Sequence, residues 1–230
     1  MKVFVIGAAG GVGSRLCRLL ADEGVAVTGM HRNLLQFESV AATGASPLIG
    51  DLIGDDVPKL SHWMCGHDAV VFTAGAHGTG IDQTSLIDGR GLEKAVAAAE
   101  AAGVTRFVLV SAMPEAGRGK NLGERFEHYL GVKKATEAYL SRTDLDWLIV
   151  RPGTLTDDPG SGLVAAGPAV IDAPVSRDNV AGFLAAAIAR PLLSQQIVEL
   201  TDGETTIAEA AVTLAGGGTE VATGRRLLSA

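Results

Sequence analysis

The heptapeptide GAAGGVG, Gly7 to Gly13, decides how this chain is read. Before it stands Lys2–Ile6, KVFVI, a short apolar run rich in β-branched residues that reads as a strand. After it, residues 12–23 repeat apolar side chains at helical spacing, with Val12, Leu16, Leu19 and Leu20 on one face, and Gly24 closes the helix. Three glycines spaced three apart between a strand and a helix mark a turn whose backbone must come close to a partner.

The same alternation continues along the chain. Residues 25–30, 47–49, 68–73 (DAVVFT), 106–111 (RFVLVS), 146–150 and 197–200 read as strands. Residues 32–43, 123–142 and 178–189 read as helices, and Asp88 is positioned to cap an alanine-rich helix that runs to Ala102 and stops at Gly103. Strand–helix alternation with almost wholly apolar strands predicts an α/β, doubly wound Rossmann fold with a mostly parallel sheet and helices on both faces. Residues 155–174, rich in Gly, Pro, Asp and Ala, read as irregular. Without a repeat, linker or charge block, the economical organisation is one domain over residues 1–230. A small C-terminal substrate lobe is built around 152–180 and 190–215.

Composition excludes several function classes. The chain has 230 residues and a formal net charge of −7, which disfavours nucleic acid; Lys133-Lys134 and Arg225-Arg226 are isolated basic pairs. No apolar run is long enough for a membrane span or a signal peptide. Two cysteines, Cys17 and Cys65, lack CxxC spacing, so a reducing cytoplasm is the expected setting. The sequence leaves the oligomeric state open.

A glycine-rich turn between the first strand and first helix of such a fold is where a dinucleotide pyrophosphate binds. The helix N-terminus offers unpaired amides and a positive dipole end. No Lys-Ser/Thr follows the glycines, which argues against a kinase-type phosphate loop. An NAD site places an acid after the second strand, but this chain has Met30-His31-Arg32-Asn33 there. The guanidinium of Arg32 suits a 2′-phosphate, so NADP(H) is expected in preference to NAD(H).

Taken in order, GAAGGVG, Arg32, Gly50-Asp51-Leu52, Thr73-Ala74-Gly75, LVSA, a Tyr-x-x-x-Lys and VRPGTL resemble the atypical short-chain dehydrogenase/reductases. Within them the chain resembles the small NAD(P)H-binding branch that includes biliverdin/flavin reductase-like and nitrogen-regulator-like proteins. The likeness runs over most of residues 1–210. It implies that Gly7, Ala9, Gly10, Gly11, Val12 and Gly13 line the pyrophosphate and that Asp51 and Leu52 contact adenine. It further implies that Thr73, Ala74 and Gly75 run past ribose and phosphates, and that Pro152, Gly153, Thr154 and Leu155 border the nicotinamide. All of these follow strand C-termini, where open α/β sheets bind ligands.

Tyr129 and Lys133, four apart on a predicted helix, share a face, and Ser111 ends a strand on the ligand side. The resemblance implies a catalytic trio. Tyr129 exchanges a proton with the substrate oxygen, Lys133 lowers the tyrosine pKa and holds the nicotinamide ribose, and Ser111 orients the carbonyl. The reading that follows is an oxidoreductase acting on a small-molecule carbonyl, quinone or similar acceptor. Its rivals are a non-catalytic NADP(H) redox sensor and an NAD-dependent nucleotide-sugar epimerase/dehydratase, the latter disfavoured by the short C-terminal region. The segment 114–120 reads as a substrate lid or a plain loop. His62-Trp63-Met64-Cys65-Gly66-His67 matches no zinc spacing, so no metal is expected, and Asp157-Asp158 reads as a solvated turn.

Overall fold

The structure is a computed structural model that describes residues 1–76, 78–114 and 121–216. Of the 114–120 segment only Pro114 falls within that set, and Arg225-Arg226 lie outside it.

Nine strands form one sheet in the order β11-β8-β10-β6-β5-β4-β1-β2-β3. The strands are β1 (Lys2–Ile6), β2 (Ala26–His31), β3 (Ser46–Ile49), β4 (Ala69–Phe72), β5 (Arg106–Val110), β6 (Asp146–Pro152), β8 (Leu163–Gly167), β10 (Gln196–Asp202) and β11 (Thr205–Thr206). β7 (Leu155–Thr156) and β9 (Val175–Ser176) make a separate parallel pair. From β3 to β10 every neighbour is parallel, for instance Val3 beside Val27 on one side and Ala69 on the other. β8 and β11 close the far edge antiparallel. The chain direction reverses its winding between β1 and β4, and there the ends of neighbouring strands splay to leave a crevice.

Two apolar layers cover the sheet. One joins Val3, Val5 and Val71 to Leu16 and Leu20 of α1 (Gly11–Asp22) and to Phe183 and Leu184 of α7 (Arg177–Ile188), with Ala210 and Ala211 of α8 (Ile207–Gly216) packed outside. The other joins Phe4, Phe72 and Phe107 to Leu60 and Met64 of α3 (Val57–Met64) and to Leu92, Val96 and Ala99 of α5 (Leu92–Ala102). Adjacent strand residues point to opposite faces, so an unbroken apolar run such as VFVI feeds both layers.

Several expectations shift. Leu19 is exposed, and Cys17 takes its place in the core, where burial pushes its thiol pKa up to about 12. The second helical segment is shorter than its pattern: a 3-10 turn at Leu34–Gln36, capped by Asn33, leads into α2 (Phe37–Ala41). Residues 155–174 are not irregular throughout, since they hold β7 and β8. That run is dominated by Gly, Pro, Asp and Ala, which strands disfavour, and the pairing of β8 depends on β10, distant in sequence. Helix α3 was hidden by its own brevity, though Asp56 caps it and Pro58 lies in its first turn.

Asp88 is no helix cap. The alanine-rich helix starts earlier, at α4 (Ile81–Thr84), and passes through a π-helical stretch, Ser85–Gly91, before α5. Asp88 lies inside that stretch and is 2% exposed. Extra-residue helical turns of this kind are common at functional sites. The remaining helix, α6 (Glu124–Leu140), leads into β6. Among the described residues no helix is long and apolar enough to cross a membrane.

Candidate active site

A cleft of about 1050 Å³ opens along the C-terminal ends of β1 to β5. At one end is the glycine turn. Gly7 has φ +88°, and a Cβ there would lie 2.7 Å from the Ala74 amide nitrogen. Gly10 caps α1 with no side-chain hydrogen bond, which leaves the amides of the first helical turn facing the cleft. Gly13 does not line the cleft; a Cβ on it would meet the Gly7 carbonyl oxygen and stand 2.7 Å from Thr73 Oγ1. Its bareness lets α1 pack down on the turn, so the glycines divide into those that face a ligand and one that seats the helix.

The middle of the cleft is walled by the turns after β2, β3 and β4. Arg32 is exposed at its margin. Behind it His31 is 3% exposed; its Nδ1 lies 3.0 Å from the Asn33 carbonyl oxygen, while Nε2 has no partner. Asp51 and Leu52 line the wall, although Asp51 Oδ1 already accepts a hydrogen bond from the Ile53 amide at 3.0 Å, a turn role. Thr73, Ala74 and Gly75 also line it, and Thr73 Oγ1 donates to the Ile6 carbonyl at 2.9 Å, tying β4 to the glycine turn.

The far end brings together Ser111, Tyr129 and Lys133. The Ser111 amide donates to the Val150 carbonyl at 2.7 Å, while its Oγ is buried without a partner. An orphan hydroxyl in a cleft wall is a group set up for a ligand. Lys133 is 4% exposed; its Nζ lies 2.9 Å from Asp88 Oδ1 and 5.6 Å from the centre of the Tyr129 ring. Burial opposes the charge on Lys133, but Asp88, Tyr129 and Glu137 together outweigh it, so its pKa is raised and the ammonium persists. Burial raises the Tyr129 pKa, Lys133 pulls it down, and Asp88 and Glu137 push it up again, so the net displacement is upward. Burial is the largest of these causes, and the pull of the Lys133 ammonium offsets it only in part.

Of the residues from the end of β6 onward, Leu155 borders the cleft, whereas Pro152, Gly153 and Thr154 do not. Gly153 is bare for packing: a Cβ would run into the Ala173 carbonyl oxygen. Asp88 and Arg177 are among the cleft groups that the sequence did not single out. Asp88 reads there as a cap, and Arg177, at the start of α7, carries no motif. The Arg177 stem lies over Gly11, where a Cβ would be 2.7 Å from its Cδ, and its Nη1 pairs with Asp157 at 3.0 Å. Asp157 also meets Arg15 Nη2 at 3.3 Å, so this acid bridges two arginines. His67 is structural: Nε2 meets Thr28 Oγ1 at 2.9 Å, Nδ1 meets the Met64 carbonyl at 3.0 Å, and the ring packs edge-on to Phe4. No acid–His–Cys cluster fit for a metal occurs among the described residues.

A 3-2-1-4-5-6 parallel core with a bare helix N-terminus at its switch point and an uncapped glycine turn defines a Rossmann-type dinucleotide-binding protein. Residues 7–191 match the NAD(P)H-binding family, and the chain belongs to it, in an atypical short-chain dehydrogenase/reductase branch. It is 37% identical over 212 residues to YhfK of Bacillus subtilis, an uncharacterized sugar epimerase, covering 91% of this chain and 98% of that one. A Bacillus halodurans structure with a provisional assignment as an NAD-dependent epimerase/dehydratase superposes with TM-score 0.84 at 33% identity, over 93% of this chain and 99% of the other. The oxidoreductase ylbE of Lactococcus lactis superposes with TM-score 0.82 at 26% identity, over 93% and 96%.

Proposed function

We propose that the protein is an NADPH-dependent reductase of a small carbonyl, quinone or similar acceptor. One observation carries this reading: Ser111, Tyr129 and Lys133 border the same cleft as the glycine turn, and Ser111 Oγ is buried with its hydrogen-bonding capacity unused. The glycine turn and the first-turn amides of α1 suit a pyrophosphate, Asp51 and Leu52 an adenine, and Arg32 a 2′-phosphate. Arg177, with its stem over Gly11, adds a cation beside the phosphates.

A bound dihydronicotinamide supplies a hydride to the acceptor carbon. Ser111 Oγ then orients the acceptor oxygen, and Tyr129 donates its phenolic proton to that oxygen. Tyr129 carries its proton at neutral pH, as a donor must, and the Lys133 ammonium offsets part of the rise that burial imposes on its pKa. Leu155 closes the acceptor side with an apolar wall. Two free cysteines, Cys17 and Cys65, support a reducing cytoplasm as the setting.

The test is to mix the purified protein with NADPH and a panel of quinones, flavins and aldehydes and to follow cofactor absorbance. Turnover is expected, and Tyr129→Phe should lower it by roughly 100-fold or more, the worth of a positioned general acid. Tight NADPH binding without turnover on any acceptor would instead identify a redox sensor. An epimerase, the activity named for YhfK, would convert its sugar with no net absorbance change.

Cofactor choice is read separately by titrating NADPH and NADH. Arg32→Ala should weaken NADPH binding by roughly tenfold, the worth of one charge-assisted contact, and leave NADH binding unchanged. Equal affinities in the unmodified protein would overturn the assignment of Arg32.

A further inference from the structure

Next to Arg32 lies a second cleft residue, His31, with a ring nitrogen that no described residue uses. His31 ends β2 and is buried. Its backbone is fixed, because its carbonyl accepts a hydrogen bond from the Gly50 amide at 2.9 Å. Its ring packs edge-on to Phe37, 6.2 Å between centres. Side chains alternate along a strand, so His31 shares a face with Gly29. A Cβ on Gly29 would lie 2.9 Å from the Ala8 Cβ, which sets that face against the glycine turn. His31 stands one step nearer the cleft on the same face, where the adenosine ribose adjoins the pyrophosphate.

The tautomer follows from the partner. Nδ1 lies 3.0 Å from the Asn33 carbonyl oxygen, and a carbonyl only accepts, so Nδ1 carries the hydrogen. In the neutral ring Nε2 is then a bare acceptor, and it is buried without a partner among the described residues. Unpaired buried acceptors are rare in folded proteins, and one in a cleft wall calls for a donor from the ligand. Other side-chain acceptors of this turn are committed. Asn33 Oδ1 accepts from the Leu35 amide at 3.0 Å, and Gln36 Oε1 accepts from the Asn33 amide at 3.1 Å. Arg32 can only donate.

A Rossmann site for NAD(H) reads the ribose 2′-hydroxyl with an acid after the second strand, where this chain has His31-Arg32-Asn33. We propose that the neutral His31 imidazole fills that role: Nε2 accepts a hydrogen bond from the ribose 2′-hydroxyl of NADH, so His31 and Arg32 recognise different cofactors. Arg32 donates to the 2′-phosphate of NADPH, whose dianion has no hydrogen to offer Nε2. The inference rests on the dinucleotide part of the reductase reading and adds NADH as a second recognised cofactor. A charge-assisted pair outweighs a neutral hydrogen bond, so NADPH stays preferred while His31 narrows the gap.

The test is binding, by isothermal titration at pH 8, above the range in which histidine ordinarily takes up a proton. NADH and NADPH are titrated into the unmodified protein and into His31→Leu, which keeps an apolar side chain against Phe37. His31→Leu should weaken NADH binding by roughly fivefold, the worth of one neutral hydrogen bond, and leave NADPH binding within about twofold. Equal losses for both cofactors would show that the ring serves only the fold, and they overturn the proposal. An unchanged NADH affinity overturns it too, as does a failure of the unmodified protein to bind NADH. Should His31→Leu fail to fold, the unmodified protein decides. The NADH analogue with a 2′-deoxyadenosine ribose should then bind roughly fivefold more weakly than NADH, and equal affinity overturns the proposal. No arm uses an acceptor. A protein that binds both dinucleotides as expected and reduces nothing leaves this inference standing while the reductase reading falls.

Discussion

Gly13→Ala is expected to lower the unfolding free energy by about 3 kcal/mol, the upper part of the range for overpacking, and to weaken dinucleotide binding by roughly tenfold or more. The added methyl has no free space, because it meets the Gly7 carbonyl oxygen and Thr73 Oγ1 together. Both belong to the turn that ties β1 to β4, and neither is the far end of a flexible side chain. Relief requires α1 to lift from the turn, which carries the first-turn amides away from the phosphates. Losing one hydrogen bond to a charged group costs about 1.5 kcal/mol or more, hence the tenfold figure. Isothermal titration with NADPH and urea unfolding measure the two effects. Gly131→Ala is the control: its Cβ meets nothing within 4 Å in α6, so a small gain in stability is expected. An unchanged affinity in Gly13→Ala would mean that the turn tolerates the lift and that the close packing has another purpose.

Glu137→Ala is the second large effect. Arg151 of β6 grips Glu137 of α6 as a fork, Nε to Oε1 at 3.0 Å and Nη2 to Oε2 at 2.5 Å. Glu137 is 4% exposed. The Glu137 hydrogen bond is the main cause that raises the Arg151 pKa, and without it the guanidinium still stays charged because its ordinary pKa lies far above neutral. An arginine left half-buried without its fork costs about 3 kcal/mol, the lower part of the range for breaking a buried pair. Glu199 Oε1, 3.8 Å from Arg151 Nη1, remains as a weaker partner and keeps the loss there. The expected fall in Tm is on the order of 10 °C for a chain of this size. Glu137→Leu/Arg151→Met should recover most of it, because an apolar pair avoids the desolvation of two charges. Failure of the double variant to recover would show that the fork orients α6 rather than merely filling its interface with β6. Since α6 carries Tyr129 and Lys133, that outcome would link the fork to the site.

Legibility in the sequence followed how locally each feature is determined. β1, the glycine turn and α1 are readable because the strand, the bare turn and the amphipathic helix are contiguous, and each has its own residue signature. Tyr129 and Lys133 are readable as a pair because four residues are one helical turn. Leu19 and Cys17 exchange roles because the tilt of α1 against α7 decides which side of the helix is buried, and α7 lies far along the chain. β8 is illegible because its residues, LVAAG, have little propensity of their own and gain their ladder from β10.

The sequence alone determined that a parallel α/β sheet with a glycine turn after its first strand would form, and that a dinucleotide suits it. These are consequences of periodicity and of glycine's missing side chain, which act within a few residues. The tertiary structure decided the electrostatic state of the far end of the cleft. Asp88 reads as a helix cap until a π-helical stretch turns it inward against Lys133, 45 residues away. Burial then holds the Tyr129 proton more tightly than a spacing of four residues could suggest. Charge cancellation and desolvation depend on what surrounds a group in space, and no local pattern records that.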